Sequence, residues 1–155
     1  MTPRHKAAKK YIKEKTNQKH PIGIILGTGL GGLVKDIDID FSIEYSDIPH
    51  FPVSTVEFHS GKLIFGTLSG KKIVAMQGRF HYYEGYNHNS VTFPIHILQD
   101  LGIKYLLVSN ACGALNSQFR KSELMIISSH IKSKGINNSL NISKGIRIVL
   151  VFNFI

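Results

Sequence analysis

The chain contains no tryptophan and a single cysteine, Cys112. One thiol excludes a disulfide framework and makes a reducing, cytoplasmic setting the expectation. No apolar run approaches the roughly 18 residues that a membrane span requires. The lysine-rich N-terminus has no apolar h-region, so neither a membrane partner nor a secretory signal is expected. Acidic residues are absent from 124–155, and Glu14 alone represents them in 1–20. No metal ligand set is assigned.

What is present fits one globular domain. The 155 residues suffice for a core but not for two large domains. Nine Phe and six Tyr argue against disorder. The net charge of +9 suggests a nucleic-acid binder until it is located. Residues 1–20 hold seven Lys/Arg against one acid, and 124–155 hold four against none. The stretch between, 21–123, holds eight bases and nine acids. The excess sits at the two ends, so a basic face across the folded middle is not indicated and no nucleic-acid partner is expected.

Residues 3–18 have helix-forming composition, with Ala7, Ala8, Tyr11 and Ile12 on a narrow apolar stripe. His20-Pro21 ends this basic helix. Ile22 to Leu26 reads as a short buried strand. It runs into G-T-G-L-G-G (27–32), where glycines allow a tight turn whose N–H groups can face an anion, with a helix N-terminus expected to follow. Gly27, Gly29 and Gly32 formally satisfy the dinucleotide fingerprint. The long first helix and the second strand ending in an acid are missing, so a nicotinamide or flavin role is not supported. Asp36, Asp38 and Asp40 alternate with Ile37 and Ile39 in strand fashion. Residues 46–60 read as an ordered loop ending near His59. A hairpin follows: Lys62–Leu68, a Ser69-Gly70 turn, then Lys71–Met76.

The stretch from Met76 to Asn87, M-Q-G-R-F-H-Y-Y-E-G-Y-N, is the densest in chemistry. Arg79 offers a planar fork of donors suited to phosphate. His81 would share its side if the segment is extended, and Glu84 could hold the imidazole in one tautomer. Tyr82, Tyr83 and Tyr86 could wall a small-molecule site. A surface turn after an edge strand is the alternative reading of the same residues. Beyond it, Ser90 or Asn89 could cap a helix with Pro94 near its first turn and Gly102 as its stop. Tyr105 to Val108 is a strand, followed by the small residues S-N-A-C-G-A-L-N (109–116). Small side chains at a strand's carboxyl end let a ligand reach the backbone. Leu124 to Ser128 is a further strand. Strand and helix alternating in this way predict an α/β fold, a central twisted mixed β-sheet flanked by helices.

Taken together, G-T-G-L-G-G (27–32), His59-Ser60-Gly61, G-R-F-H-Y-Y-E-G-Y (78–86) and N-A-C-G-A-L-N (110–116) resemble the trimeric purine nucleoside phosphorylases, in register from about Ile22 to Leu140. The resemblance implies phosphorolysis of purine (deoxy)ribonucleosides to a free base and (deoxy)ribose 1-phosphate. Phosphate would be the co-substrate, no cofactor would be needed, and the assembly would be a homotrimer. Thr28, Arg79, His81 and the Ala111 N–H would hold phosphate, with His59 closing over it. Tyr83 would contact ribose, and Glu84 would orient His81, which puts the catalytic roles on His81 and Glu84. Asn110, Ala111 and Gly113 would border the base pocket, and Gly27 and Gly29 would let the backbone approach. Threonine replaces the family's usual serine at position 28 and keeps the hydroxyl.

The family likeness fades after Leu140. The expected organisation is therefore a basic helix over 1–20, the N-terminal part of a phosphorylase domain over 21–140, and a divergent tail over 141–155. That apolar, acid-free tail reads as strand-prone and aggregation-prone unless paired. It predicts a fold incomplete at the C-terminus, as in a truncated product. Two alternatives to the phosphorylase stand. One is a non-catalytic remnant that binds phosphate or a partner. The other is an enzyme like the methylthioadenosine phosphorylases, which differ after the arginine.

Overall fold

The computed structural model describes residues 1–27, 30–53, 61–113, 115–128 and 147–154. The first helix, α1 (Pro3–Lys15), begins where Thr2 caps it: the Thr2 hydroxyl accepts the His5 N–H at 3.4 Å, and Pro3 fills the first helical position. Ala8 and Ile12, one turn apart, are its buried residues, so the apolar stripe is as narrow as the sequence suggests. The helix ends at Lys15, three residues short of the predicted stretch.

Among the described residues seven strands form one mixed sheet: β1 (Ile22–Leu26), β2 (Asp38–Glu44), β3 (Lys62–Leu68), β4 (Lys71–Gln77), β5 (Tyr105–Cys112), β6 (Leu124–Ile126) and β7 (Arg147–Phe154). Their order across the sheet is β2-β3-β4-β1-β5-β7-β6. The pairs β4–β1, β1–β5 and β5–β7 are parallel. β2–β3, β3–β4 and β6–β7 are antiparallel. The hairpin β3–β4 turns at Ser69-Gly70, and both residues have positive φ, 48° and 72°.

Side chains along β1 alternate between two cores, as a strand buried on both faces requires. Ile25 joins Leu63, Phe65, Val74, Met76 and Leu106 under α1 and the second helix, α2 (His88–Asp100). Ile24 and Leu26 join Ile64, Ile73 and Ala75 on the other face, where Leu33 and Val34 pack against them. Those two residues belong to a 3-10 turn, Gly31–Asp36, the short helix that follows the glycine loop. Two successive glycines leave this segment with little helix propensity.

Three expectations are corrected in the region of α2 and β5. The helix starts at His88, capped by the Asn87 side chain accepting the Ser90 N–H at 2.9 Å, rather than at Asn89 or Ser90. Pro94 lies in the helix interior, not its first turn, and removes an N–H there; its ring is fully buried. Gly102 ends the helix with φ 92°, as expected. β5 runs to Cys112, four residues past Val108, because β7 pairs alongside it from Tyr105↔Arg147 to Cys112↔Phe154. The strand-prone segment at the end of the chain is thus paired, between β5 and β6.

Candidate functional site

β4, β1 and β5 are adjacent and parallel, so their carboxyl ends open side by side. Leu26 lies opposite Gln77, and Ile25 lies opposite Val108. The glycine turn at 27, the Gly78-Arg79 bend and the Ser109–Gly113 segment therefore lie side by side at this end of the sheet, the place where open α/β sheets collect ligands. Ser109 to Cys112 extend past the last β1 pairing and are paired on the β7 side. This leaves a ledge of small residues beside the first turn.

Gly27 is fitted against that ledge. Its N–H donates to Ser109 Oγ at 2.9 Å, and Ser109 Oγ in turn reaches the Ile25 carbonyl at 3.4 Å. A Cβ on Gly27 would stand 2.5 Å from the Ser109 carbonyl oxygen, so only glycine allows this approach. On the other flank, Gly78 turns the chain with φ 95° and delivers Arg79 across β1. Arg79 Nη1 donates to Ser109 O at 2.9 Å and Nη2 to Asn110 Oδ1 at 3.3 Å. A guanidinium carries five N–H donors, more than these two bonds use. The result is an oriented cation beside a glycine turn, an arrangement that can bind an oxyanion.

His81, Tyr83 and Glu84 form a second small unit. The 3-10 turn Tyr82–Glu84 is closed by the Glu84 N–H donating to His81 O and the His81 N–H donating to Glu84 Oε1, each at 3.1 Å. The carboxylate thus orients His81 through its backbone, not through the ring as expected. The imidazole instead stacks on Tyr83 with ring centroids 4.7 Å apart. Glu84 Oε2 is buried with no hydrogen-bond partner among the described residues. Tyr83 is 82% exposed, and Tyr82 is stacked on His88. Tyr86 donates its hydroxyl to the Val53 carbonyl, and burial, then the charge of Glu84, raises its pKa.

The structure therefore brings Gly27, Arg79 and Asn110 together at one sheet end, with Ala111 next on the ledge and Gly113 exposed just beyond it. His81, Tyr83 and Glu84 are held to one another in the adjoining turn. Thr28, Gly29 and His59 lie outside the described residues. Two residues that sequence reasoning passed over also matter. Ser109 joins Gly27 to Arg79. Tyr45, buried beneath the bend, donates its hydroxyl to Gly78 O at 2.8 Å. A hollow of about 590 Å³ lined by Phe51 and Phe93, with Arg4, His5 and His96, takes in Tyr86 but none of the residues expected to hold phosphate, ribose or base.

Residues 21–154 match the sequence profile of a family described as the phosphorylase superfamily. Over 130 residues the chain is 52% identical to purine nucleoside phosphorylase 1 of Geobacillus stearothermophilus, covering 84% of this chain and 47% of that protein. Among solved structures it is similar to the purine nucleoside phosphorylase of Schistosoma mansoni in complex with acetate. That likeness has a TM-score of 0.75 and 46% identity, over 79% of this chain and 45% of that one. Isoform 2 from the same organism, in complex with cytosine and ribose-1-phosphate, gives a TM-score of 0.76 at 41% identity, over 83% and 45%. The chain spans about half the length of the curated relatives it matches.

Proposed function

The chain belongs to the phosphorylase superfamily, and from that membership we propose that it acts as a purine nucleoside phosphorylase. The reaction cleaves a purine (deoxy)ribonucleoside with inorganic phosphate, giving the free base and (deoxy)ribose 1-phosphate. A phosphate oxygen forms a bond to the anomeric carbon as the carbon–nitrogen bond breaks. The departing purine keeps that electron pair and takes up a proton. Positive charge develops on the sugar, so the enzyme's work is to hold an anion against it and fix the geometry.

The observation that carries this reading is the Arg79 fork, braced on Ser109 O and Asn110 Oδ1 next to the Gly27 turn. In the proposal Arg79, His81 and the Ala111 N–H hold phosphate, together with Thr28 and His59. Tyr83 meets the ribose, whose hydroxyl-bearing face suits an exposed, amphipathic ring. Glu84 keeps the His81 turn closed, which is its part in catalysis. Asn110, Ala111 and Gly113 border the purine, while Gly27 and Gly29 let the backbone approach the anion. Phosphate is the co-substrate and no organic cofactor is invoked. Residues 21–154 are read as one phosphorylase unit with α1 docked on it, assembling as a cytoplasmic homotrimer in purine salvage. Among the described residues no helix is long and apolar enough to cross a membrane.

Phosphorolysis of inosine by the purified chain, read as hypoxanthine released only when phosphate is present, tests the proposal. Phosphate-dependent release supports it; methylthioadenosine as the preferred substrate would move the chain to the neighbouring branch. A second reading, phosphate binding without turnover, draws on the Arg79 fork alone, whose spare donors can hold an anion whether or not a nucleoside follows. Saturable phosphate binding with no base released is the outcome that selects it.

A further inference from the structure

Tyr45 sits at the end of β2, on the first residue of a 3-10 turn, Tyr45–Asp47, and is 1% exposed. Nothing in its local sequence marks it as more than a core aromatic. Its contacts do. The hydroxyl donates to Gly78 O at 2.8 Å, and the Tyr45 N–H donates to Gly61 O, also at 2.8 Å. A Cβ on Gly61 would stand 2.3 Å from the Tyr45 ring, so only glycine leaves the ring room against that backbone. A Cβ on Gly78 would stand 3.3 Å from the Gly61 Cα. One buried side chain therefore fixes two glycine backbones, and the second immediately precedes Arg79. Phe51 and Phe80 close on the ring at centroid distances of 4.9 and 5.3 Å.

We propose that Tyr45 is a positioning residue for the anion site: its hydroxyl, through the Gly78 carbonyl, sets the bend from which the Arg79 guanidinium reaches Ser109 and Asn110. The inference rests on the phosphate-binding reading above and adds a determinant that contacts neither phosphate nor nucleoside. Gly78 holds φ 95°, a conformation that costs a substituted residue strain. Its carbonyl, turned inward by that bend, needs a buried donor. Burial raises the pKa of the Tyr45 phenol, so it keeps the proton that it donates. A phenylalanine in its place would keep the ring packing and lose only the donor. Gly78 O would then be free to rotate, and Arg79, one peptide away, would rotate with it.

The test is equilibrium titration of inorganic phosphate into the intact chain and three variants, followed by thermal shift and calorimetry. Tyr45→Phe is expected to weaken phosphate binding about tenfold, the scale of one lost hydrogen bond. Gly78→Ala should produce a comparable loss from the other end of the same contact. Ile97→Val, a buried change on α2 of similar cost to stability, should leave phosphate affinity within about twofold. If inosine is turned over, the KM for phosphate should rise in Tyr45→Phe while the KM for inosine stays put. Undiminished affinity in Tyr45→Phe overturns the role of Tyr45 and leaves the phosphate reading standing. An equal loss in Ile97→Val also overturns it, since general loosening would then explain the effect. No phosphate binding by the wild-type chain removes the reading beneath the inference, and the inference with it.

Discussion

Arg79 and Ser109, on opposite sides of β1, are joined by a 2.9 Å hydrogen bond from Nη1 to the Ser109 carbonyl. The same serine accepts the Gly27 N–H through its hydroxyl. A single residue of β5, just past its last pairing with β1, thereby sets the distance between the glycine turn and the guanidinium. An anion at the fork would meet guanidinium donors whose places are fixed before it arrives, which is the condition for binding without a reorganisation cost.

Replacing Gly27 by alanine should be severe, because the new methyl would meet backbone and not a yielding side chain. The Ser109 carbonyl oxygen stands 2.5 Å from the Cβ position. The expected loss is about 1–3 kcal/mol of stability, with weakened phosphate binding as Ser109 is pushed aside. Urea denaturation and phosphate titration of Gly27→Ala check both parts. A variant with wild-type stability and affinity would mean that the turn is not fitted as described.

The Glu84 carboxylate serves the His81 backbone N–H, so the bond needs an oxygen and not a charge. Glu84→Gln should keep the turn, while Glu84→Ala should cost about 0.5–2 kcal/mol, as loss of a cap does. Chemical denaturation of the two variants distinguishes these outcomes. Equal losses would show that the negative charge itself matters.

His20 is buried against Phe65 and its pKa is lowered, chiefly by burial and next by Lys72. A group held below its ordinary 6.5 takes up a proton more readily when unfolded. Its contribution is complete above pH 6.5 and is lost as the pH falls below that value. His5, also lowered mainly by burial, acts in the same direction. Thermal melts between pH 7.5 and 5 should show stability falling on acidification, and His20→Phe should flatten that slope. An unchanged slope would place the titration elsewhere.

Much of the fold could be read from local signals. The Ser69-Gly70 turn asks for two positive φ angles and has them. The buried run Ile22–Leu26 and the stop at Gly102 are equally direct. Misses occur where neighbours compete or tertiary contacts decide. Asn87, Asn89 and Ser90 can all cap a helix, and the structure uses the first. Pro94 breaks a local rule because its ring is buried in the core under α2. The residues Ser109–Cys112 have weak strand propensity, and β7 holds them in the sheet. The chemistry-bearing loops announce themselves by composition. Their supports do not: Tyr45 meets Gly78 across 33 residues and Ser109 meets Gly27 across 82, distances over which sequence carries no periodic signal.

The most direct measurement is the dissociation constant of inorganic phosphate for the wild-type chain, Arg79→Ala and Tyr82→Phe, at one fixed salt concentration. Removing the guanidinium should weaken binding by about 1.5–3 kcal/mol, roughly ten- to a hundredfold. The exposed Tyr82, stacked on His88 and away from the fork, should tolerate loss of its hydroxyl with no change. Equal affinities for all three proteins would contradict an anion site built around Arg79.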